Sequence, residues 1–259
     1  MTMKFKTCAV AGGLAAFAAL GAATTSARAD DAPAFTYSFN IGGVSDYMFR
    51  GFSQRDDQPA LQGGADIGYG IMYAGVWASH TGENFNATNA EIDIYAGIKP
   101  VLGPVTFDFG VLYYGYPSQD ASISTGLKVD YYEAKVGASF SPIENLTAGV
   151  LFYYTPDYSF ETGKGYTIEG NLAYALPKVA MFSPTISGTI GYFDVENAFS
   201  FETDLTPVTN ITYWNVGLSL AVEKITFDMR YYGSDKDVNI ANTTSTDDRF
   251  VFGVKVVLP

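Results

Sequence analysis

The chain has 259 residues, a formal charge of −12 and a single cysteine. So acidic a chain is a poor partner for nucleic acid, whose phosphates must be neutralised by Lys and Arg. One cysteine leaves no intrachain disulfide and no thiolate metal cluster, and no run of about 18 apolar residues beyond the first 29 supplies a membrane-spanning helix.

Residues 1–29 read as an export signal. Lys4 and Lys6 form a basic start, Thr7 to Ala23 is apolar and rich in small residues, and Ala27-Arg28-Ala29 gives an A-x-A cleavage site before Asp30. Cys8 lies within this segment, so residues 30–259 carry no cysteine. The signal also takes Lys4, Lys6 and Arg28 with it. Lys+Arg then drops from 15 to 12 against 27 acids, and the charge moves from −12 to −15.

From residue 35 onward, short stretches alternate apolar and polar residues. Val105-Thr106-Phe107-Asp108-Phe109-Gly110-Val111 and Ile225-Thr226-Phe227-Asp228-Met229-Arg230-Tyr231 are the clearest. Side chains of a strand point alternately to two faces, so each stretch has one oily and one polar face. The strands fall at 35–51, 59–69, 71–80, 89–99, 104–115, 129–140, 145–155, 165–175, 184–194, 210–222, 224–233 and 248–258. Twelve such stretches in one domain predict an antiparallel transmembrane β-barrel.

The gaps orient the chain. Those after even strands are short, as at Gly70, Ser141 to Glu144 and Glu223. Those after odd strands are longer, as at 116–128, 195–209 and 234–247. Barrels of this kind have short periplasmic turns and long external loops, which places both termini in the periplasm and the protein in the cell outer membrane of a Gram-negative bacterium. Tyr113-Tyr114, Tyr131-Tyr132, Phe152-Tyr153-Tyr154, Tyr192-Phe193, Tyr213-Trp214 and Tyr231-Tyr232 gather beside the long gaps, where an interfacial aromatic girdle belongs.

The apolar faces include Ile92/Ile94/Ile98, Val105/Phe107/Phe109/Val111, Ile168/Leu172/Tyr174, Val216/Leu218/Leu220 and Phe250/Phe252/Val254. These are expected to meet lipid. The opposite faces carry Asp66, Glu91, Asp93, Lys99, Asp108, Glu133, Lys135, Glu169, Asp228, Arg230 and Lys255. Ionisable groups are costly in hydrocarbon, so these are the candidate pore-lining residues. Seven are acids, which in a wet interior gives a weak cation preference. If instead they pair with the four bases, they hold the interior shut.

The stretch Ser45-Asp46-Tyr47-Met48-Phe49-Arg50-Gly51, then Pro59-Ala60-Leu61-Gln62-Gly63, then Tyr73-Ala74-Gly75-Val76-Trp77-Ala78-Ser79, resembles the TorF-type porin family of proteobacteria, whose chains open S-D-Y-x-x-R-G, P-A-x-Q-G and Y-x-G-x-W-x-S. The resemblance covers residues 40–80 and implies an outer-membrane barrel of porin type with no assigned substrate or catalytic residues. Its motif residues here are Ser45, Asp46, Tyr47, Arg50, Gly51, Pro59, Gln62, Gly63, Tyr73, Gly75 and Trp77. The chain departs from many such barrels by ending Val257-Leu258-Pro259 rather than on an aromatic residue. Two roles stand open for Arg50: an ion pair with Asp46 that braces a regular strand, or a place at a constriction where it binds anions.

Catalytic chemistry has little to work with. His80 is the sole histidine, and adjacent Ser79 points to the other face of its strand, a poor nucleophile–base pair. Asp235-Lys236-Asp237-Val238-Asn239 begins like a calcium loop, but Ile240 and Thr246 stand where Gly and Glu are needed. No metal site and no cofactor is expected. The expected partners are outer-membrane lipid and lipopolysaccharide, bridged through divalent cations by acidic loops that include Asp56, Asp120 and Glu202, and the barrel-assembly machinery. The sequence is silent on oligomeric state. It points to a non-enzymatic, porin-like channel for small hydrophilic solutes or ions, with a non-conducting structural or adhesive barrel as the main alternative and an outer-membrane hydrolase behind it.

Overall fold

The structure, a computed structural model, describes residues 35–55, 57–82, 88–119, 126–201, 204–240 and 243–259. The export signal and the loop acids Asp56, Asp120 and Glu202 lie outside the described residues.

Twelve strands form the wall: β1 (Phe35–Val44), β2 (Ala60–Tyr69), β3 (Met72–His80), β4 (Ala90–Ile98), β5 (Val105–Gly115), β6 (Tyr131–Ile143), β7 (Leu146–Thr155), β8 (Gly165–Ala175), β9 (Ser183–Phe201), β10 (Asp204–Val222), β11 (Ile225–Ser234) and β12 (Arg249–Leu258). Each pairs antiparallel with the next. β12 returns to β1, with Ile41 opposite Val256, so the ring is closed. Closure leaves the wall itself without an open edge, which is the condition for crossing a membrane with strands.

Alternation fixes the facing. Phe35, Tyr37, Phe39 and Ile41 are exposed on the outside of β1, while Thr36, Ser38 and Asn40 turn inward and are half-buried. Ile94, Val111, Ile168, Val216 and Phe252 are likewise exposed outward, between 47 % and 61 %. So much apolar surface has a place only against lipid.

Of each aromatic cluster at the loop end, neighbours part company. Tyr113, Tyr132, Phe152, Tyr154 and Trp214 face outward, whereas Tyr114, Tyr131, Tyr153, Tyr213, Phe193 and Tyr232 are buried inside. The girdle is thus half of what the clusters build; the other half is an interior packing layer. The period of two makes this unavoidable.

Two boundaries differ from the sequence reading. β9 and β10 run 19 residues each, through the expected loop at 195–209. Val208, Thr209, Ile211 and Thr212 are strong strand formers, and pairing continues to Phe201 opposite Asp204. β1, expected to reach residue 51, ends at Val44. There Ser45 exchanges hydrogen bonds with Phe252 of β12 (2.8 and 3.0 Å), and the chain leaves the wall for the interior. Asp46, Tyr47, Arg50 and Gln54 all find buried polar partners by doing so, which a continuation along the lipid-facing wall would deny them.

Candidate functional site: an interior plugged at its loop end

The first loop folds into a small ribbon, Met48–Phe49 against Phe52–Ser53, with Arg50-Gly51 at its tip. Both tip residues have positive φ, +50° and +86°. That is the requirement of the tight type I′ hairpin turn, which glycine meets easily and arginine at a cost. The ribbon carries its tip across the interior: a Cβ on Gly51 would stand 3.0 Å from Cβ of Tyr213, on the far wall.

Arg50 ends in a closed seat. Its two terminal nitrogens donate to the two oxygens of Glu133 on β6 at 2.8 and 2.7 Å. Glu133 also accepts from the Tyr114 hydroxyl at 3.0 Å. The guanidinium lies 4.7, 5.2 and 5.5 Å from the ring centres of Phe49, Tyr153 and Phe193. Burial alone would pull the Arg50 guanidinium down, but the charge and hydrogen bonds of Glu133 outweigh it and hold the group well above its ordinary range. Arg50 is a permanent cation.

Further contacts clamp the base of the ribbon. Asp46 accepts from Ser53 Oγ at 2.8 Å and from Arg249 at 2.7 Å, and Arg249 also meets Asp57. Tyr47 donates to Glu91 Oε1 at 3.0 Å and packs edge-on against Trp77, ring centres 5.4 Å apart. A chain of rings then spans the interior: Tyr114 stacks on Tyr131 at 4.4 Å, Tyr131 meets Tyr158 at 4.5 Å, and Tyr158 meets Phe193 at 4.8 Å. Loop ribbon and wall thereby form a continuous packed layer, with Tyr47, Tyr114, Ile211 and Thr167 essentially without exposure.

The expected Asp46–Arg50 brace does not form. Because β1 stops at Val44, the two residues do not share a strand face, and each finds a partner far along the chain. The motif residues nevertheless fall in one place. Ser45, Asp46, Tyr47, Arg50 and Gly51 make the ribbon and Pro59 leads the chain back into the wall. Gln62 (bonded to Ser79 Oγ, 3.3 Å) and Trp77 face the interior near the loop end, and Tyr73 faces it further down. Gly75 gives room to the Tyr95 ring, and Gly63 lies close to the backbone of β1.

Toward the turn end the interior is polar, with sealed and half-buried groups side by side: Lys99, Asp108 and Lys135 are partly exposed, while Asp66, Asp228 and Arg230 are buried. Asp108 binds Lys135 at 2.9 Å and Tyr73 Oη at 2.7 Å, with Lys99 4.0 Å away. Asp66 accepts from Tyr95 at 2.5 Å; higher up, level with the packed layer, Glu169 accepts from Tyr213 at 2.6 Å. Arg230 binds Asp228, Asn215 and Ser187, the last two at 2.7 and 2.8 Å. Lys255 turns inward between outward-facing Val254 and Val256, with Thr226 opposite it. Thr147, Asn171, Thr189 and Ser219 complete this half as partly exposed side chains. The eleven charged residues assigned from sequence all turn inward, but they divide: Glu91, Asp93 and Glu133 are sealed in the loop half, Glu169 stands level with the packed layer opposite Gly191, and the other seven lie lower or at the turn-end rim, Asp66, Asp228 and Arg230 among them buried. Sequence spacing could not show Arg50–Glu133, whose partners stand 83 residues apart. The one local signal was Arg50-Gly51 between Met48-Phe49 and Phe52, a two-residue turn between apolar neighbours.

Ser79 and His80 do part, as expected. Ser79 is buried inward, His80 is exposed, and Ser79 Oγ donates to the His80 carbonyl at 3.0 Å. The calcium-like segment is occupied by backbone bonding: Asp235 accepts from Thr212 N at 2.8 Å, and Thr246 Oγ1 donates to the Lys236 carbonyl at 2.6 Å. Among the described residues no three His, Cys, Asp or Glu side chains gather as a metal site would need.

A closed twelve-stranded antiparallel ring with an apolar exterior, aromatic belts and a polar interior defines a porin-like outer-membrane transmembrane β-barrel. Within that class, residues 28–257 match the family described as "Bacterial protein of unknown function (Gcw_chp)", and the chain belongs to it. No curated protein matches the sequence. Among solved structures, the chain is similar to the KdgM porin (TM-score 0.55, 11 % identity, covering 85 % of this chain and 98 % of that one). It is also similar to the KdgM porin in complex with disordered oligogalacturonate (TM-score 0.53, 10 % identity, 85 % and 98 % covered). At such identities the likeness is one of fold.

Proposed function

We propose that the protein is an outer-membrane channel for passive diffusion of small hydrophilic solutes or ions, with its turn end in the periplasm and its first-loop ribbon as a gate. The observation that carries this reading is the contrast along the interior: a polar, partly exposed turn half beneath a loop half packed shut by the first-loop ribbon together with Tyr158 of the loop after β7. A structural barrel has no need of a polar hollow. The resemblance of residues 40–80 to TorF-type porins points the same way, since its residues make the gate and the wall that receives it.

Selectivity follows from which charges a solute meets. In the lower half, Asp66, Asp108 and Asp228 stand against Lys99, Lys135, Arg230 and Lys255, three acids to four bases. In the loop half Asp46, Glu91, Asp93, Glu133 and Glu169 outnumber Arg50 and Arg249. The weak cation preference therefore belongs to the state in which the ribbon has moved. Interior charges act over short range, since salt screens beyond about 10 Å at 0.1 M.

Planar-bilayer recordings test this. The intact refolded chain should conduct rarely or in brief events, whereas a chain with residues 47–53 replaced by a short Gly-Ser link should conduct steadily. A trimmed barrel that folds and passes no current would overturn the channel in favour of a non-conducting barrel.

A further inference from the structure

Around the seat of Arg50 stand more carboxyl groups than Arg50 itself engages. Glu133 takes the guanidinium in a fork-to-fork pair, the geometry that planar cations make with carboxylates. Beside it, Asp93 on β4 is 0 % exposed and takes no hydrogen bond from an N–H or hydroxyl group; its carboxyl lies against that of Glu91. Asp93 lies opposite Tyr114, the residue whose hydroxyl bonds Glu133, and it feels the charge of Glu133. Glu91, two residues away on the same face, is 1 % exposed and is met on one oxygen by Tyr47. Rings of Tyr153 and Phe193 face the cation from the wall. The Glu133 carboxylate, the neighbouring Asp93–Glu91 carboxyl pair and the aromatic walls make a seat suited to a cation, and among the described residues the cation bonded to Glu133 comes from the ribbon rather than from the wall.

We propose that this pocket is a recognition site for small organic cations of the guanidinium class, and that Arg50 occupies it as a tethered stand-in while the gate is shut. A solute of that class entering beneath the ribbon competes with Arg50 for Glu133, and the site left by the departing arginine is acidic. Gate release and cation preference then have one cause. The link to transport rests on the channel reading above; the site itself does not.

The test uses the full chain refolded in detergent, with methylguanidinium as the probe. Arg50→Gly removes the tethered cation without straining the turn, because glycine adopts the φ of +50° found there. Methylguanidinium should bind Arg50→Gly saturably and raise its melting temperature, and leave wild type unmoved at the same concentration. Adding Glu133→Gln should weaken that binding at least about tenfold, the loss of a charge-assisted fork. A second measurement keeps Arg50: a cysteine at buried Gln54, labelled by a water-soluble maleimide, should react several-fold faster in methylguanidinium than in equal sodium chloride. Binding no tighter in Arg50→Gly than in wild type, binding indifferent to Glu133→Gln, or unchanged Gln54 labelling each overturns the proposal. If the trimmed barrel is silent while Arg50→Gly binds the probe, the channel reading falls and the site stands; the reverse result removes the site alone.

Discussion

Two ion pairs mark the ends of the interior. Arg50–Glu133 at the loop end has side chains 3 % and 1 % exposed; Lys135–Asp108 toward the turn end has them 14 % and 17 % exposed. The distances are similar, 2.7 and 2.9 Å, so geometry does not separate them. Water does. A broken Arg50–Glu133 pair leaves a charge with no solvent to turn to, while at Lys135–Asp108 water can replace the missing partner. The same wall thus houses a layer packed like a protein core and, around Lys135 and Asp108, charges that water reaches.

The largest effect expected from this contrast is Glu133→Ala. It strands Arg50 in a dry seat and should destabilise the barrel by about 3–5 kcal/mol, read from denaturant unfolding in detergent. A loss below about 1 kcal/mol would show that the loop half is wet after all.

Next comes the wall itself, where depth rather than half should rule. Leu218, opposite Ile186 and Met229 on the outer face, lies well inside the wall, and Leu218→Arg should cost about 2–4 kcal/mol in lipid. Phe107 is the third residue of β5, close to the turn end, so Phe107→Arg should cost only about 0–1 kcal/mol. Thr106→Arg, which faces the hollow, should be milder still in bilayer refolding. Equal losses at all three positions would break the facing assignment.

A smaller effect separates two interior glycines. A Cβ at Gly191 would stand 2.2 Å from the Tyr213 ring, in the packed layer; at Gly149 its nearest neighbour would be 3.4 Å away. Gly191→Ala should therefore cost about 1–3 kcal/mol through overpacking, and Gly149→Ala should leave the melting temperature nearly unchanged. Matching shifts would mean that the packed layer yields as readily as the hollow.

The smallest change is Asp108→Asn. It leaves Lys135 within reach of water and preserves an acceptor for Tyr73, so stability should move by no more than about 1 kcal/mol. A loss as large as that of Glu133→Ala would erase the distinction between the halves.

The wall was legible because lipid outside and polarity inside impose one period on every strand, and Val105 to Val111 or Ile225 to Tyr231 display it openly. The gate was not. Val44 to Phe49 keeps enough alternation to pass for a continuing strand, and a ribbon strand inside a barrel has the same period as a wall strand. What separates them is the partner, and the partners of Arg50 and Asp46 are Glu133 and Arg249, set by closure of the ring rather than by any local spacing. The charged positions were legible as inward-facing. Their division into sealed and half-exposed groups was not, because it depends on where the ribbon comes to rest and on partners from other strands, such as Tyr95 on Asp66 and Ser187 on Arg230.

The seat of the first loop has a consequence for the order of assembly. Arg249, which clamps Asp46, lies 203 residues further along the chain, in the strand that closes the ring. The earliest loop made is thus among the last to settle, since its docking surface exists only after the final strand has paired with the first. Closing so long a span is slow. Refolding should show two phases, an early gain of sheet signal and a later burial of Tyr47, and shortening the ribbon should remove the second while sparing the first.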